Sequence, residues 1–298
     1  MKIFVTGGSG FIGHWVVKEL LEQGHSLRLL IRNTEKIPSL KTTPGVEIIE
    51  GTLYDQPIIE KALRGCDACV HLALGWGETP TTMLQKDTAV TVFMAEAAEK
   101  AGLKQFLYTS STAAVGEFRH NMTESIDPRP VDLYGATKAA SEAYLLGFAA
   151  KAKMRCNVIR PGYTFGNPAF PDGVTQPDKR FNTLVSAALK NEPIKVTKHD
   201  GTQFIWAGDQ AKLYAAVLRS GFNRRIFFGL AKEFVTWEAI AHKAVEITGS
   251  KSEIVVEDKG WDEKPTLFNV DAIKKEFTLE FVGSPEITKH LEFLSKRR

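Results

Sequence analysis

The sequence predicts an α/β fold built on a doubly wound parallel sheet, with a smaller lobe formed by the C-terminal part of the chain. Two observations carry this prediction: short apolar runs alternate with longer stretches of helical spacing, and the first run leads into a glycine-rich turn. Nearly continuous apolar runs are typical of parallel strands buried on both faces. The predicted strands are Ile3–Thr6, Leu27–Ile31, Val46–Ile49, Ala68–Leu72, Phe106–Ser110 and Asn157–Arg160.

Composition excludes several classes of protein. The 298 residues carry a net charge of +3, which is too small to indicate a nucleic-acid partner. The three cysteines form no disulfide framework, and Cys66 and Cys69 have no second ligand pair, so no metal site is expected. No apolar run approaches the roughly 18–20 residues that span a bilayer, and there is no room for a signal peptide before Lys2. We therefore expect a cytoplasmic protein without a membrane partner.

The first strand runs into a turn with glycines three residues apart. Gly7 permits the tight turn, Gly10 lets the backbone approach a pyrophosphate, and Gly13 lets the following helix pack against the strand. The helix then offers unpaired N–H groups to the phosphates. This strand, turn and helix predict a dinucleotide-binding, Rossmann-type domain. Its first cofactor-binding residues are Gly7, Gly10, Phe11, Ile12 and Gly13.

The pattern changes near residue 166, where we place a domain boundary. Residues 1–165 are expected to bind the dinucleotide, and residues 166–298 to form mainly a substrate-binding lobe, with elements near 204–230 returning to the first domain. Residues 167–177 are rich in Pro, Gly, Asp and Asn and predict a long loop of the kind that lines sites. The later elements are predicted helices at Arg180–Leu189, Gly208–Ser220, Trp237–Thr248 and Pro285–Leu294, and a strand at Arg225–Gly229.

The end of the second strand bears on cofactor choice. NAD enzymes usually place an acidic residue there to bind the ribose 2′-hydroxyl. Here Ile31 takes that position and Arg32 follows. Because a guanidinium suits a 2′-phosphate, we expect NADP to be preferred over NAD, with Arg32 as a cofactor-binding residue.

Tyr134 and Lys138 are four residues apart and share one face of a predicted helix, which Asp132 is expected to cap. A neighbouring cation favours a phenolate, so Lys138 is expected to lower the pKa of Tyr134. Hydroxyl side chains at 109–112 follow a predicted strand, at the edge where parallel sheets bind ligands. Such a hydroxyl can hydrogen-bond a carbonyl oxygen while the tyrosine exchanges its proton.

The GxxGxxG spacing of Thr6–Gly13 resembles the extended branch of the short-chain dehydrogenase/reductase superfamily. The whole chain resembles its NAD-dependent epimerase/dehydratase family, and Leu27–Asn33 is similar to the cofactor strand of dihydroflavonol reductases. The resemblance implies Ser111 as the catalytic hydroxyl, with Thr112 as the second choice. It implies Tyr134 as general acid/base, and Lys138 as the group that lowers the pKa of Tyr134 and binds the nicotinamide ribose.

The same resemblance implies further cofactor contacts. Leu53 lies in the segment that follows the third strand and contacts the adenine in relatives. Leu72 and Ala73 end the motif 67–73 that flanks the cofactor, and Pro161 lies near the carboxamide. His71 belongs to the same motif, and no proton-transfer role is expected for it.

Four positions depart from the family pattern. Asp87 stands where most relatives carry an active-site Asn, and Thr52 replaces an Asp, which puts the adenine contact in doubt. Gln203 stands where sugar-nucleotide epimerases usually present an Arg to the diphosphate. Residues 112–114 lack the acidic pair of sugar-nucleotide dehydratases, which argues against dehydration.

Three functions follow from these residues. The favoured one is an NADPH-dependent carbonyl reductase that acts on a small-molecule carbonyl compound. The alternative is an NDP-sugar epimerase with tightly bound NAD(P), which Gln203 disfavours although Arg180 could supply a cation. A non-catalytic dinucleotide-sensing regulator ranks third because the catalytic trio is present. The resemblance also implies a possible homodimer through helices at Thr82–Lys100 and Asp132–Lys151.

Overall fold

The protein, described here as a computed structural model covering residues 1–263 and 265–297, alternates strands and helices along most of its length. The strands are β1 Lys2–Thr6, β2 Ser26–Ile31, β3 Val46–Glu50, β4 Ala68–His71, β5 Gln105–Thr109, β6 Arg155–Pro161, β7 Thr164–Phe165, β8 Ile194–Thr197, β9 Gly201–Thr202, β10 Ile205–Trp206, β11 Ile226–Gly229, β12 Val235–Thr236 and β13 Ile254–Glu257. The helices are α1 Phe11–Glu22, α2 Pro38–Thr42, α3 Gln56–Leu63, α4 Pro80–Met83, α5 Ala89–Lys100, α6 Leu133–Phe148, α7 Arg180–Leu189, α8 Ala207–Arg219, α9 Trp237–Thr248, α10 Asp271–Phe277 and α11 Gly283–Lys296.

Seven of these strands form one parallel sheet in the order β11-β6-β5-β4-β1-β2-β3. The chain winds outward from β1 to β3, then continues on the other side of β1 from β4 to β11. The fold class predicted from the sequence is therefore confirmed. In such a sheet the crevice for ligands opens at the carboxyl ends of the strands where the winding reverses, which is between β1 and β4.

Apolar side chains cover both faces of the sheet. Helices α1 and α8 pack together on one face. Helices α3, α5 and α6 cover the other face. The first core includes Val16, Val17, Leu20, Leu213 and Tyr214, and the second includes Ile59, Met94, Ala98, Phe106 and Leu145. The first core holds α1, which carries the predicted phosphate-binding residues, against the strands. The second core does the same for α6, which carries Tyr134 and Lys138.

The C-terminal part of the chain has a core of its own and also contributes to the main sheet. Its core joins α7, α9 and α11 around Phe181, Phe204 and Trp237. Strand β11 pairs with β6, and α8 contacts α1. The division at residue 165 into a dinucleotide domain and a substrate lobe stays a prediction.

The helix predicted at 82–100 is interrupted. It consists of α4, a π-helical turn at Leu84–Thr88, and α5. The preceding segment packs tightly here, since a Cβ on Gly75 would lie 1.8 Å from the Lys86 carbonyl oxygen. The wider turn brings the Asp87 side chain inward, where it accepts a hydrogen bond of 3.0 Å from the Gly75 backbone N–H. Such π-helical turns are frequent at functional sites.

Helix α6 begins as expected, because the Asp132 side chain accepts a hydrogen bond of 2.6 Å from the Gly135 N–H. Farther along α6, Tyr144 is 60% exposed, so this aromatic side chain faces outward rather than into the core. A homodimer through this face remains a prediction. None of the helices in the described ranges is long and apolar enough to cross a membrane.

The glycine turn yields a prediction about folding. A Cβ on Gly13 would lie 2.0 Å from the Gly7 carbonyl oxygen, whereas one on Gly10 would meet the same atom at 3.2 Å. We expect Gly13→Ala to lower the free energy of unfolding by about 1–3 kcal/mol, as overpacking does. Gly10→Ala is the matched control and should cost much less. Urea unfolding of both variants measures the difference, and equal losses would contradict this account of the turn.

Candidate active site

A cleft of about 390 Å³ opens at the carboxyl edge of the sheet. It joins the glycine turn to the ends of β5 and β6 and to the start of α6. The lining residues are Gly7, Gly10, Phe11, Ile12, Gly13, Leu72, Leu74, Thr109, Ser110, Ser111, Tyr134, Lys138, Pro161, Gly162, Thr164 and Pro177. The cleft thus brings the three predicted catalytic residues together with most of the predicted cofactor residues.

A second cavity of about 230 Å³ continues from the first and shares Gly7 and Leu74 with it. It lies between the ends of β1, β2 and β3. Its walls are Thr6, Gly7, Ser9, Leu30, Arg32, Gly51, Thr52, Leu53, Tyr54, Ala73 and Leu74. Arg32, Leu53 and Ala73, the remaining predicted cofactor residues, are all among them.

The junction of the two cavities suits a pyrophosphate. Helix α1 begins there at Gly10, which has no side chain to cap the helix. The Gly10 N–H donates to the Gly7 carbonyl oxygen at 2.9 Å. The next three N–H groups belong to Phe11, Ile12 and Gly13, which line the cleft. An uncapped helix N-terminus facing a cavity is a site for anionic groups. The residues present therefore fit a dinucleotide.

At the far end of the second cavity, Ile31 is 1% exposed and Arg32 is exposed. No carboxylate thus occupies the position that NAD enzymes use for the ribose. Thr52, the residue that departs from the family's Asp, donates its hydroxyl to Asp55 at 2.7 Å and accepts the Tyr54 N–H at 3.2 Å. Its oxygen is therefore engaged within its own turn.

The hydroxyls at the end of β5 have different partners. Thr109 accepts a hydrogen bond of 2.8 Å from the Tyr214 phenol, and Ser110 donates to the Glu142 carboxylate. Ser111 accepts the Ala113 N–H at 3.1 Å, and it lines the cleft together with Tyr134. Thr112, the second choice from the sequence, is not among the described residues that line the cleft. Ser111 is the better placed of the two.

Tyr134 and Lys138 lie on one face of α6, with the Lys138 Nζ 5.9 Å from the centre of the Tyr134 ring. The pKa of Tyr134 is raised, because burial disfavours the phenolate and the Asp87 and Asp132 carboxylates repel it, against a hydrogen bond from Ser111. The expectation that Lys138 lowers the pKa of Tyr134 stays a prediction, because burial is the largest cause of the net shift. The Lys138 ammonium is paired with another charge.

That charge is Asp87. Its carboxylate is 1% exposed and lies 3.5 Å from the Lys138 Nζ, and it also accepts the Thr137 hydroxyl at 3.4 Å. Burial lowers the pKa of Lys138, and the ion pair with Asp87 opposes that shift. The sequence marked Asp87 as a departure from the family but did not reveal this contact, because the two residues come from different helices.

A second buried ion pair lies behind the cleft. Arg160 on β6 holds the Glu142 carboxylate with two hydrogen bonds of 2.9 and 2.7 Å. The Ser110 hydroxyl shares that carboxylate. Glu142 is four residues after Lys138 on α6, so helical spacing could have pointed to its proximity to the site. The pair fixes the helix that carries Tyr134 against the sheet.

Gln203 and Arg180 do not reach the cleft. The Gln203 amide donates to the backbone oxygens of Ala231 and Phe268 at 2.9 and 3.0 Å, and its oxygen accepts the Phe268 N–H at 2.7 Å. Arg180 pairs with Asp178 at 2.9 Å and lies over the Trp237 ring. Neither residue is part of the described lining.

His71, at the end of β4, is buried between two hydroxyls. Its Nδ1 lies 2.6 Å from the Thr6 Oγ1 and its Nε2 lies 3.1 Å from the Thr91 Oγ1. Burial, aided by the charge of Lys138, lowers the pKa of His71 to about 3. The imidazole is therefore neutral at physiological pH, and both of its nitrogens are engaged by these hydroxyls.

The low pKa of His71 predicts a pH dependence of stability. The unfolded chain takes up a proton on His71 near pH 6.5, whereas the folded chain does so only near pH 3. Stability is therefore lost as the pH falls through this window, by about 2 kcal/mol between pH 7 and pH 5 from this residue. Urea unfolding of His71→Gln at both pH values should show that much less loss. His242→Asn, at an exposed position on α9, is the control, and an unchanged loss in His71→Gln would refute the assignment.

Comparison with known proteins identifies relatives of this chain. The model of the NAD dependent epimerase/dehydratase family matches residues 3–227. A 3 beta-hydroxysteroid dehydrogenase/Delta 5-->4-isomerase from Mycobacterium tuberculosis (strain CDC 1551 / Oshkosh) is 31% identical over 180 residues, 56% of this chain and 48% of that enzyme. A putative dihydroflavonol 4-reductase from Synechocystis sp. is 34% identical over 116 residues, 38% of this chain and 33% of that protein. The matches thus span about half of these curated relatives or less.

A solved structure shares the fold over the whole chain. UDP-glucuronic acid 4-epimerase from Bacillus cereus, in complex with NAD, superimposes with a TM-score of 0.83 at 21% identity, covering 100% of this chain and 99% of that one. At this identity the likeness concerns the fold, whereas the family model covers most of the sequence. The protein belongs to the NAD dependent epimerase/dehydratase family, of the extended short-chain dehydrogenase/reductase type.

Proposed function

We propose that this enzyme is an NADPH-dependent carbonyl reductase. The observation that carries the proposal is that Ser111, Tyr134 and Lys138 line the same cleft as the uncapped N-terminus of α1. A dinucleotide anchored by its phosphates at α1 would therefore extend toward the three side chains. The distance between the anchoring and reacting groups is fixed by the sheet, since both sets of residues sit at its carboxyl edge.

Each residue of the trio has a defined part in the reaction. When bound, the nicotinamide dinucleotide supplies the hydride. The Tyr134 phenol donates a proton to the carbonyl oxygen, and the Ser111 hydroxyl holds that oxygen by a second hydrogen bond. Lys138 binds the nicotinamide ribose, and its charge assists the phenol as it loses the proton.

The cleft favours an apolar carbonyl substrate over a sugar nucleotide. Beyond the glycine turn, its lining includes the apolar side chains of Leu74 and Pro177, which are not assigned to the cofactor. A diphosphate needs cationic groups or N–H donors. The Gln203 amide already donates to two backbone oxygens, and Arg180 is paired with Asp178. The named relatives that act on steroids and dihydroflavonols also point to apolar substrates.

Cofactor choice rests on Arg32. An Arg32 guanidinium at the adenine end of the cavity, with a buried Ile31 in place of an acid, would pair with a 2′-phosphate. We expect Arg32→Ala to weaken NADPH by about ten- to a hundredfold, as the loss of a charge-assisted hydrogen bond of roughly 1.5–3 kcal/mol implies. NADH is the internal control and should change little. Calorimetric titration measures both, and equal losses for the two cofactors would argue for NAD.

The reaction is tested with Tyr134→Phe, which removes one hydroxyl from the cleft. With NADPH and a panel of aromatic and alicyclic ketones and aldehydes, we expect the parent to consume NADPH and the variant to lose about 10²–10⁴-fold in turnover. NADPH affinity should survive, because the ring and Lys138 remain. Ser111→Ala should lose roughly 10²–10³-fold.

UDP-sugars form the second arm of that screen. Epimerisation of a UDP-sugar without net NADPH consumption, lost in Tyr134→Phe, would replace the reductase proposal by the epimerase. Parental turnover in Tyr134→Phe on any substrate found would overturn the role of this tyrosine.

A further inference from the structure

The Asp87 carboxylate is a buried charge next to the reacting groups, and the reaction just described does not use it. Asp87 belongs to the π-helical turn, and its carboxylate lies 3.5 Å from the Lys138 Nζ. One oxygen accepts the Gly75 N–H at 3.0 Å, and the other faces the Lys138 Nζ and the Thr137 hydroxyl. These contacts tie the carboxylate to the segment at Gly75 and to α6, so its position is well determined.

The charges around Lys138 add up to nearly zero. Glu142, on the next turn of α6, is held by Arg160 in the buried ion pair, so those two charges cancel. Among the described residues around Lys138, Asp87 is the other buried carboxylate, and it cancels the charge of Lys138. If position 87 carried a neutral side chain, this part of the cleft would have a net charge of +1 beside Tyr134.

The other titratable groups near Tyr134 do not change this sum. From β4, His71 is neutral, and from β5 and α8 the phenols of Tyr108 and Tyr214 are held neutral because burial raises the pKa of each. Asp132, at the start of α6, is exposed, and water screens its charge. Lys138 and Asp87 are thus the pair that sets the field at the phenol.

We propose that Asp87 is a positioning residue that neutralises Lys138 and so keeps Tyr134 a protonated phenol at neutral pH. This inference rests on the proposed function for its consequence: a protonated Tyr134 is ready to donate to a carbonyl, which favours reduction. Oxidation of an alcohol needs Tyr134 as a base, so it should require a higher pH. The charge balance itself does not depend on which substrate is used.

The test is a titration of Tyr134 in Asp87→Asn. Asparagine keeps an oxygen for the Gly75 N–H and removes the charge. The chain has six tyrosines, so ultraviolet tyrosinate absorbance is recorded for the parent and for Asp87→Asn, each minus the same protein with Tyr134→Phe. We expect the Tyr134 midpoint to fall by about one pH unit or more in Asp87→Asn, because the unpaired Lys138 then favours the phenolate. A midpoint that stays or rises overturns the proposal.

Two further variants keep the test decisive. Asp132→Asn removes a carboxylate that also acts on Tyr134 but is exposed, and Asn caps a helix as well as Asp does. It should shift the midpoint much less, and added salt should abolish that shift. Lys138→Met removes the other member of the pair, so the midpoint should rise; a fall would contradict the charge balance even if Asp87→Asn failed to fold.

Activity separates this proposal from the reductase assignment. If the enzyme reduces carbonyls, the alkaline limb of the pH profile for kcat should move down by the same interval in Asp87→Asn. If no carbonyl is reduced but the tyrosinate midpoint moves as expected, the charge balance stands and the reductase assignment fails. If carbonyls are reduced and neither midpoint nor limb moves, the role of Asp87 fails alone.

Discussion

The ion pair between Arg160 and Glu142 holds helix α6 in register with the sheet. It is closed to solvent, it makes two hydrogen bonds, and the Ser110 hydroxyl adds the neighbouring strand to it. Removing one partner of such a pair costs about 3–5 kcal/mol, because a charge is left buried and uncompensated. A slip of α6 by one residue would incur that penalty. The spacing of Tyr134, Lys138 and Ser111 is therefore set by an interaction outside the cleft.

Charge is distributed unevenly along the two joined cavities. The adenine end has an exposed guanidinium at Arg32 and the middle has the partial positive charge of the α1 N-terminus, so both attract an anionic ligand. The end that holds Tyr134 has its buried charges paired. Binding strength is thus concentrated away from the reacting atoms. The cleft can hold a polyanionic cofactor firmly while leaving the protonation of the phenol to local groups.

The sequence predicted the parts of the fold that have a strong local pattern. Helices α7 and α9 begin and end where their apolar periodicity does, and strands β1 to β6 were each located because they are continuously apolar. The two-residue strands β7, β9, β10 and β12 were not predicted, because their pairing comes from tertiary contacts. The π-helical turn was not predicted for another reason: the spacing of its residues fits an α-helix as well as a π-helix.

For the site, the glycine turn and the YxxxK pair were visible in the sequence because each is local. The direction of the shift in the pKa of Tyr134 could not be predicted from the sequence, because it depends on burial and on Asp87, which comes from another helix. Hydroxyls at 109–112 could be located at a strand end, but which of them is available depends on Tyr214 and Glu142. Local motifs therefore predict which side chains form the site, whereas residues distant in the sequence set the pKa of Tyr134 and the availability of the hydroxyls.

The pairing of β11 with β6 has a consequence for how the chain is made. Between Pro161 and Ile226 the polypeptide builds α7 and α8, so β11, the outermost strand of the main sheet, is synthesised after α7 of the C-terminal core. Until then one edge of β6 exposes unpaired backbone groups, the kind of edge that recruits other chains. During synthesis on the ribosome, β6 therefore stays unpaired on this side until β11 has been made. A chaperone that shields strand edges would act during that time.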